Sequence, residues 1–195
     1  RRVLFRSKIK LRPLYLLKKL NQKYNIALME EVRIAYNAWS EQYDTNENKT
    51  RDLEAVAIRS ILDQQQFKRI LELGCRTGKN SIWLETITEE LTSVDLSEQM
   101  LDVAKKKVVS SHVTFKVANL LNNWTFTSGH YDLIVCSLML EHIEDLNVMF
   151  QKMSAVTLKG AQIYLGELHP FKQYAGSKAR FEVAGEVKVV PCFTH

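Results

Sequence analysis

Arg69-Ile-Leu-Glu-Leu-Gly-Cys-Arg-Thr-Gly-Lys79 is the stretch on which the reading of this 195-residue chain turns. Ile70, Leu71 and Leu73 surround one carboxylate, Glu72, and the run stops at Gly74, with Gly78 four positions on. That is the pattern of a short buried strand feeding a tight turn. Toward the C-terminus, a helical stretch over 80–87 and a second apolar run over 91–95 complete a β-α-β unit. Ser97 is placed to cap the next helix, in which Met100, Leu101, Val103, Ala104 and Val108 recur near helical spacing. A third strand is predicted over 112–117. The fourth, over 131–136, is almost continuously apolar, as a strand covered on both faces must be. A helix over 143–158 closed by Gly160 and a fifth strand over 161–166 follow. Toward the N-terminus lie two helical patterns, 30–40 and 51–63, the second with Thr50 as its predicted N-cap. Residues 167–195 break the alternation and carry a hairpin signal at Ala184-Gly185.

Alternating strands and helices predict an α/β fold with a mostly parallel sheet and right-handed crossovers. A ligand is then expected beyond the carboxyl ends of the strands, at the point where strand order reverses. A composition of 46% hydrophobic and 25% charged residues is that of a globular domain. No run approaches the ~20 apolar residues of a membrane span, so no membrane partner and a cytoplasmic location are expected. Cys75, Cys136 and Cys192 are widely spaced and odd in number, which reads as reduced thiols, with neither a disulfide framework nor a metal site. The net charge of +5 is misleading. Nine of the 27 basic residues lie in 1–28 without a single acid, so the rest of the chain is net acidic. Such an arm could meet RNA or an anionic surface. Because the chain opens on Arg1 and Met29 starts the segment that reads as native, residues 1–28 are instead taken as a basic extension of upstream or non-native origin. The organisation expected is 1–28, then one domain over 29–195: N-terminal helices 29–66, a ligand-binding sheet 67–166 and a substrate loop or lid 167–195.

The glycine turn resembles the first motif of class I S-adenosylmethionine-dependent methyltransferases, with their acid and spaced glycines. Other segments resemble the same family in order. Asp95 ends the second strand in Ser93-Val-Asp-Leu-Ser-Glu-Gln-Met100, Asn119 follows the third, and Tyr131-Asp-Leu-Ile-Val-Cys-Ser137 leads into Leu138-Met-Leu-Glu-His-Ile143. Leu158-Lys-Gly-Ala-Gln-Ile-Tyr-Leu165 resembles the turn and strand five, and Ala35-Tyr-Asn-Ala-Trp-Ser-Glu-Gln-Tyr-Asp44 the N-terminal helix and loop of small-molecule members. The resemblance spans about 35–195. It implies a Rossmann-like fold of strand order 3-2-1-4-5 with helices on both faces, and S-adenosyl-L-methionine as cofactor. Gly74, Cys75 and Gly78 become donor-contacting backbone, and Glu72 orders the turn or approaches the donor's amine. By the same resemblance Asp95 accepts from the ribose hydroxyls, Leu96, Met100 and Leu120 flank the adenine, and Asn119 offers it an amide oxygen. Ser137 passes beneath the donor, and Tyr36 and Tyr43, with Trp39, close over it. Core roles for Met100 and the aromatics remain open.

Two departures accompany the match. The family's middle glycine is Arg76, which is expected either to clash with the donor's methionine portion or to swing out and pair with its carboxylate. The family's final two strands are missing, so the fifth strand is expected to leave an apolar edge that favours self-association. Methyl transfer needs orientation more than a triad. His142 is the candidate general base, with capping of the following helix as its alternative role. His169, Lys172, Tyr174, Lys178 and Arg180 are candidates for holding a small-molecule acceptor with an anionic group. Nucleic-acid acceptors fit poorly with the acidic body and the absent NPPY-type signature. A nicotinamide dehydrogenase is rejected because Gly74 and Gly78 do not make G-x-G-x-x-G. The surviving alternative is a non-catalytic module of the same fold, disabled by Arg76 and truncation; the sequence leaves the acceptor and the oligomeric state open.

Overall fold

The computed structural model describes the backbone of residues 12–127 and 129–195, and side chains from Tyr24 onward apart from Ser128. Of the basic extension over 1–28, residues 1–11 lie outside the described residues. Strand β1 (Phe67–Leu73) pairs in parallel with β2 (Thr88–Asp95) on one side and β4 (Tyr131–Ser137) on the other. With β3 (Val113–Val117) and β5 (Thr157–Gly166) at the edges, the sheet has the expected order β3-β2-β1-β4-β5. Successive residues of β1 and β4 face opposite ways, and the two cores follow from that. Leu71, Leu73, Val94, Ile134 and Cys136 meet α1 (Arg12–Trp39), α4 (Glu98–Lys107) and α5 (Leu146–Val156). Ile70, Leu91, Leu133 and Val135 meet α2 (Lys49–Ile61) and α3 (Ser81–Leu84). Each such wholly buried aliphatic side chain contributes ~1.5–3 kcal/mol, so the central strands carry most of the cohesion. α1 runs without interruption across the expected boundary at 28/29.

Local capping decides several boundaries. Ser97 caps α4, accepting from the Met100 N–H at 3.1 Å. The cap of α2 is Asn48 rather than Thr50, because its amide oxygen accepts from the Arg51 N–H at 3.0 Å. The helix expected over 80–87 divides into α3 and a 3-10 turn, Glu85–Ile87. Helix α5 stops at Val156, so Gly160 is not its C-cap. Pairing with β4 begins at Thr157, opposite Tyr131, and then slips so that Leu133 meets Gln162. Gly160 sits inside that irregularity at φ +84°, a conformation that lets the extra residues loop out of the ladder.

After α6 (Pro170–Tyr174), β6 (Arg180–Val183) and β7 (Glu186–Val189) form the expected hairpin across Ala184-Gly185, as a separate two-stranded sheet. The hairpin is tied to the main body by Phe181, which stacks on Trp39 at 5.2 Å and 12°. Gln42 Nε2 adds a hydrogen bond to Glu182 O at 2.7 Å. β5 pairs with β4 alone among the described residues, and its Ile163 and Leu165 are exposed. That edge has the character of a template for pairing.

Candidate functional site

At the carboxyl end of β1 the chain turns at Gly74, whose φ is +74° and where a Cβ would lie 2.7 Å from Met139 Cγ. A side chain is excluded there on both counts. The Gly74 and Cys75 N–H groups both donate to Val94 O, at 2.8 and 3.0 Å, fastening the turn to β2. Asp95 joins the two loops. Its Oδ2 accepts from Arg76 N–H and its Oδ1 from Ser97 N–H, each at 2.8 Å. Burial pushes its carboxyl above the ordinary value, and the backbone donors partly offset this.

Glu72 anchors the turn from below: Oε2 accepts from Ser81 Oγ at 2.5 Å and Ser93 Oγ at 2.7 Å. Burial raises its pKa from 4.5 to about 7. A folded-state pKa above the unfolded one means that the native chain binds the proton more tightly. The associated stability, about 3 kcal/mol, is full below pH 4.5 and lost as pH rises through 7. Glu72→Gln keeps an acceptor for the serines but cannot ionise. Its unfolding free energy, measured in urea from pH 5 to 8, is expected to lose the downward slope that the unaltered chain shows over that window.

Two cavities flank Gly74. The first, about 500 Å³, has apolar walls from Met29 and Val32 of α1 and from Leu96, Ala118 and Leu120, with Asp95 and Asn119 as polar groups. Asn119 Oδ1 accepts from Leu121 N–H at 2.9 Å, so the oxygen expected to face a ligand also closes its own turn. Met100 does not line this cavity: it is wholly buried in the core. Gly78 does not line it either, and a Cβ there would meet Ala104 Cβ at 3.0 Å, so its place is in helix packing. The second cavity, about 400 Å³, is bounded by Glu72, Cys75, Ser137, Arg51, Glu54 and Asn80, among others. Asn80 Nδ2 donates to Glu54 Oε2 at 3.1 Å, and Ser137 Oγ donates to Glu54 Oε1 at 2.6 Å. Asn80 Oδ1 is left buried without a partner, and so is Arg51 Nε. Both residues line this cavity, and one unsatisfied acceptor and one unsatisfied donor are the complement of an ammonium and a carboxylate. Glu54, Asn80 and Arg51 were not singled out from the sequence. The only signal was a carboxylate, Glu54, on the buried stripe of α2 one turn before Ile58.

Arg76 stands between the cavities and lines both. Its side chain turns inward: Nη1 donates to Ser137 O at 3.1 Å and Nη2 donates to Leu138 O. The guanidinium carbon lies 5.6 Å from the Tyr36 ring centre and 6.0 Å from that of Tyr43. Arg76 and Leu138 both hold φ of +50°, a left-handed conformation costly for residues with a Cβ.

His142 lies in a 3-10 turn, Leu140–His142, and does not cap α5; Asp145 does, accepting from Asn147 N–H at 3.0 Å. Its Nδ1 is 2.8 Å from Pro191 O, which can only accept, so the proton resides on Nδ1. Nε2 therefore accepts from the Tyr36 hydroxyl, 2.9 Å away. Burial lowers the imidazole pKa and raises that of the Tyr36 phenol, so both are neutral near pH 7. Tyr36, Trp39 and Tyr43 form one aromatic cluster, all buried. The acceptor candidates are not brought together. His169 and Lys172 line a groove between α2 and α6, and His169 Nδ1 accepts from Phe171 N–H at 3.2 Å. Lys178 borders a different cavity beside Tyr43 and Arg51, and Tyr174 and Arg180 are exposed and line neither.

A family model described as a methyltransferase domain matches residues 70–160, the segment from β1 into β5 that carries the turn, Asp95 and His142. Over those residues the chain is similar to methyltransferase domains. A ubiquinone biosynthesis O-methyltransferase of Bordetella avium is 26% identical over 114 residues, covering 57% of this chain and 47% of that protein. The putative methyltransferase YqeM of Bacillus subtilis is 34% identical over 104 residues, covering 52% and 42%. The chain thus spans about half the length of these curated relatives. Among solved structures, the DhpI-SAH complex superposes with a TM-score of 0.70 at 19% identity, covering 85% of this chain and 80% of that one. The N-methyltransferase NodS from Bradyrhizobium japonicum, in complex with S-adenosyl-L-homocysteine, gives 0.56 at 20%, covering 67% and 72%. These likenesses are of fold. No helix of the chain, among the described residues, is long and apolar enough to cross a membrane, and no group of three or more His, Cys, Asp or Glu there could hold a metal.

Proposed function

We propose that the chain carries the donor site of an enzyme transferring a methyl group from S-adenosyl-L-methionine to a small-molecule acceptor. The observation that carries this reading is the division of labour around Gly74. Apolar walls and the Asp95 carboxylate on one side suit a nucleoside, while Asn80 Oδ1 and Arg51 Nε on the other lack partners that an amino-acid ammonium and carboxylate would provide. The donor supplies an electrophilic methyl group on a sulfonium sulfur. The chain's own contribution is to hold the two ends, exclude water with the Tyr36–Trp39–Tyr43 cluster and receive a proton. Neutral His142, its Nε2 turned to the Tyr36 hydroxyl, is equipped to take that proton, directly or through the phenol. Lys172 and His169 beside the α2 groove favour an acceptor bearing an anionic group. The relatives named as ubiquinone biosynthesis O-methyltransferases lend support to an oxygen acceptor.

A second reading, a non-catalytic module, is favoured by one observation: Arg76 lies across the path between the two cavities. Transfer of label from methyl-labelled donor to a panel of hydroxylated and aminated small molecules, with and without a carboxylate, separates the two. On the first reading the chain labels at least one acceptor, and His142→Gln lowers kcat by ~100-fold or more with little change in donor KM. No transfer at saturating donor to any acceptor, from a chain that still binds adenosine, supports the second.

A further inference from the structure

The three strongest features outside the assigned roles are the β5 edge, the groove between α2 and α6, and the seat of Arg76; the last is the most fully built. Its guanidinium is held by two backbone carbonyls, Ser137 O and Leu138 O, and lies beside two tyrosine rings. Its own N–H is fixed on Asp95 Oδ2, so the residue hinges at the point where a ribose would be gripped. Carbonyls and π-faces solvate the charge and the Asp95 carboxylate offsets it in part, so a second cation placed against the guanidinium still meets a like charge. Gly74 and Arg76 line both cavities, so a ligand spanning the two would lie against this group.

We infer that Arg76 is a specificity gate: as placed it favours neutral adenine nucleosides over the full sulfonium donor, and it makes entry of the amino-acid tail into the second cavity conditional on movement of the guanidinium. The inference rests on the donor-site reading above and sharpens it. A nucleoside occupies the cavity bounded by Asp95, Leu96 and Leu120 with Arg76 in place. A longer ligand requires the guanidinium to leave both carbonyls. A sulfonium carries its positive charge at the junction of ribose and tail, against a second cation in a poorly hydrated space, and is penalised beyond the neutral thioether of the same shape. Asp95 offsets part of this but already serves two backbone donors.

The test is calorimetric titration of the full chain with four probes: adenosine, 5′-methylthioadenosine, S-adenosylhomocysteine and S-adenosylmethionine. Two variants accompany it. Arg76→Gly removes bulk and charge and suits φ of +50°, so it is not expected to impair folding. Arg76→Met keeps bulk without charge. The unaltered chain is expected to bind the two nucleosides at least as tightly as S-adenosylhomocysteine, and S-adenosylmethionine the most weakly. In Arg76→Gly both tailed ligands tighten by ~10-fold or more while adenosine shifts by under ~2-fold, and Arg76→Met narrows the gap between sulfonium and thioether. If the unaltered chain already binds both tailed ligands ~10-fold more tightly than adenosine, and Arg76→Gly weakens them, Arg76 is a carboxylate partner and the gate is overturned while the donor site stands. If no folded form binds any of the four, gate and donor site fall together.

Discussion

Asp95→Ala is expected to weaken binding of adenosine and S-adenosylhomocysteine by ~100-fold or more. Two charge-assisted hydrogen bonds to a ribose diol are each worth ~1.5–3 kcal/mol, and every 1.4 kcal/mol is tenfold. The substitution acts on the fold as well, because the N–H groups of Arg76 and Ser97 both lose their acceptor. A buried, orphaned N–H costs ~1–3 kcal/mol, so the melting temperature should fall too. Asp95→Asn separates the effects. Its amide oxygen retains one of the two backbone bonds, so stability should recover in part, whereas an NH₂ group facing one of the hydroxyls should leave most of the binding loss. Unchanged affinity in a folded Asp95→Asn variant would mean that no ribose sits at this carboxylate.

The second large effect is on stability. Trp39 is almost wholly buried, stacked on Phe181, edge-on to Tyr43 at 4.7 Å and beneath the Arg51 guanidinium at 5.8 Å. Trp39→Ala is expected to cost ~3–5 kcal/mol in urea unfolding. It should also release the β6–β7 hairpin, visible as faster proteolysis between Phe181 and Val190. The indole Nε1 has no hydrogen-bond partner although it is buried. Trp39→Phe therefore removes an unsatisfied donor along with some packing, and should cost under ~1.5 kcal/mol. A large loss in both variants would point to a role for the indole nitrogen that the packing does not provide.

The parallel core was legible because its physics is local. The run from Arg69 is a largely apolar strand stopped by Gly74, that over 131–136 is almost continuously apolar, and the helices between leave little choice of topology. Boundaries that depend on competition between elements were not. Helix α5 yields at Thr157 to pairing with β4, and nothing in Leu158-Lys-Gly160 alone announces a slip in that ladder. At the site, Asp95, Gly74 and His142 stand out because strand ends and a glycine turn place them. Glu54, Arg51 and Asn80 do not, since their relevance arises only where α2 lies over the turn, and three-dimensional proximity leaves no spacing to read. Met100 went the other way: helical periodicity fits a core position and a ligand contact equally, and burial decided for the core. The inward course of Arg76 follows from carbonyls on β4 more than 60 positions away in the chain.

The bond from His142 to Pro191 has a bearing on how the chain matures. The imidazole is set between a phenol 106 positions before it and a carbonyl 49 positions after it. All five strands of the parallel sheet lie between residues 67 and 166, so the sheet can pair before the segment carrying Pro191 docks. Until that late segment docks, nothing pins the proton to Nδ1. The tautomer of this imidazole is thus set by a segment that takes no part in the sheet.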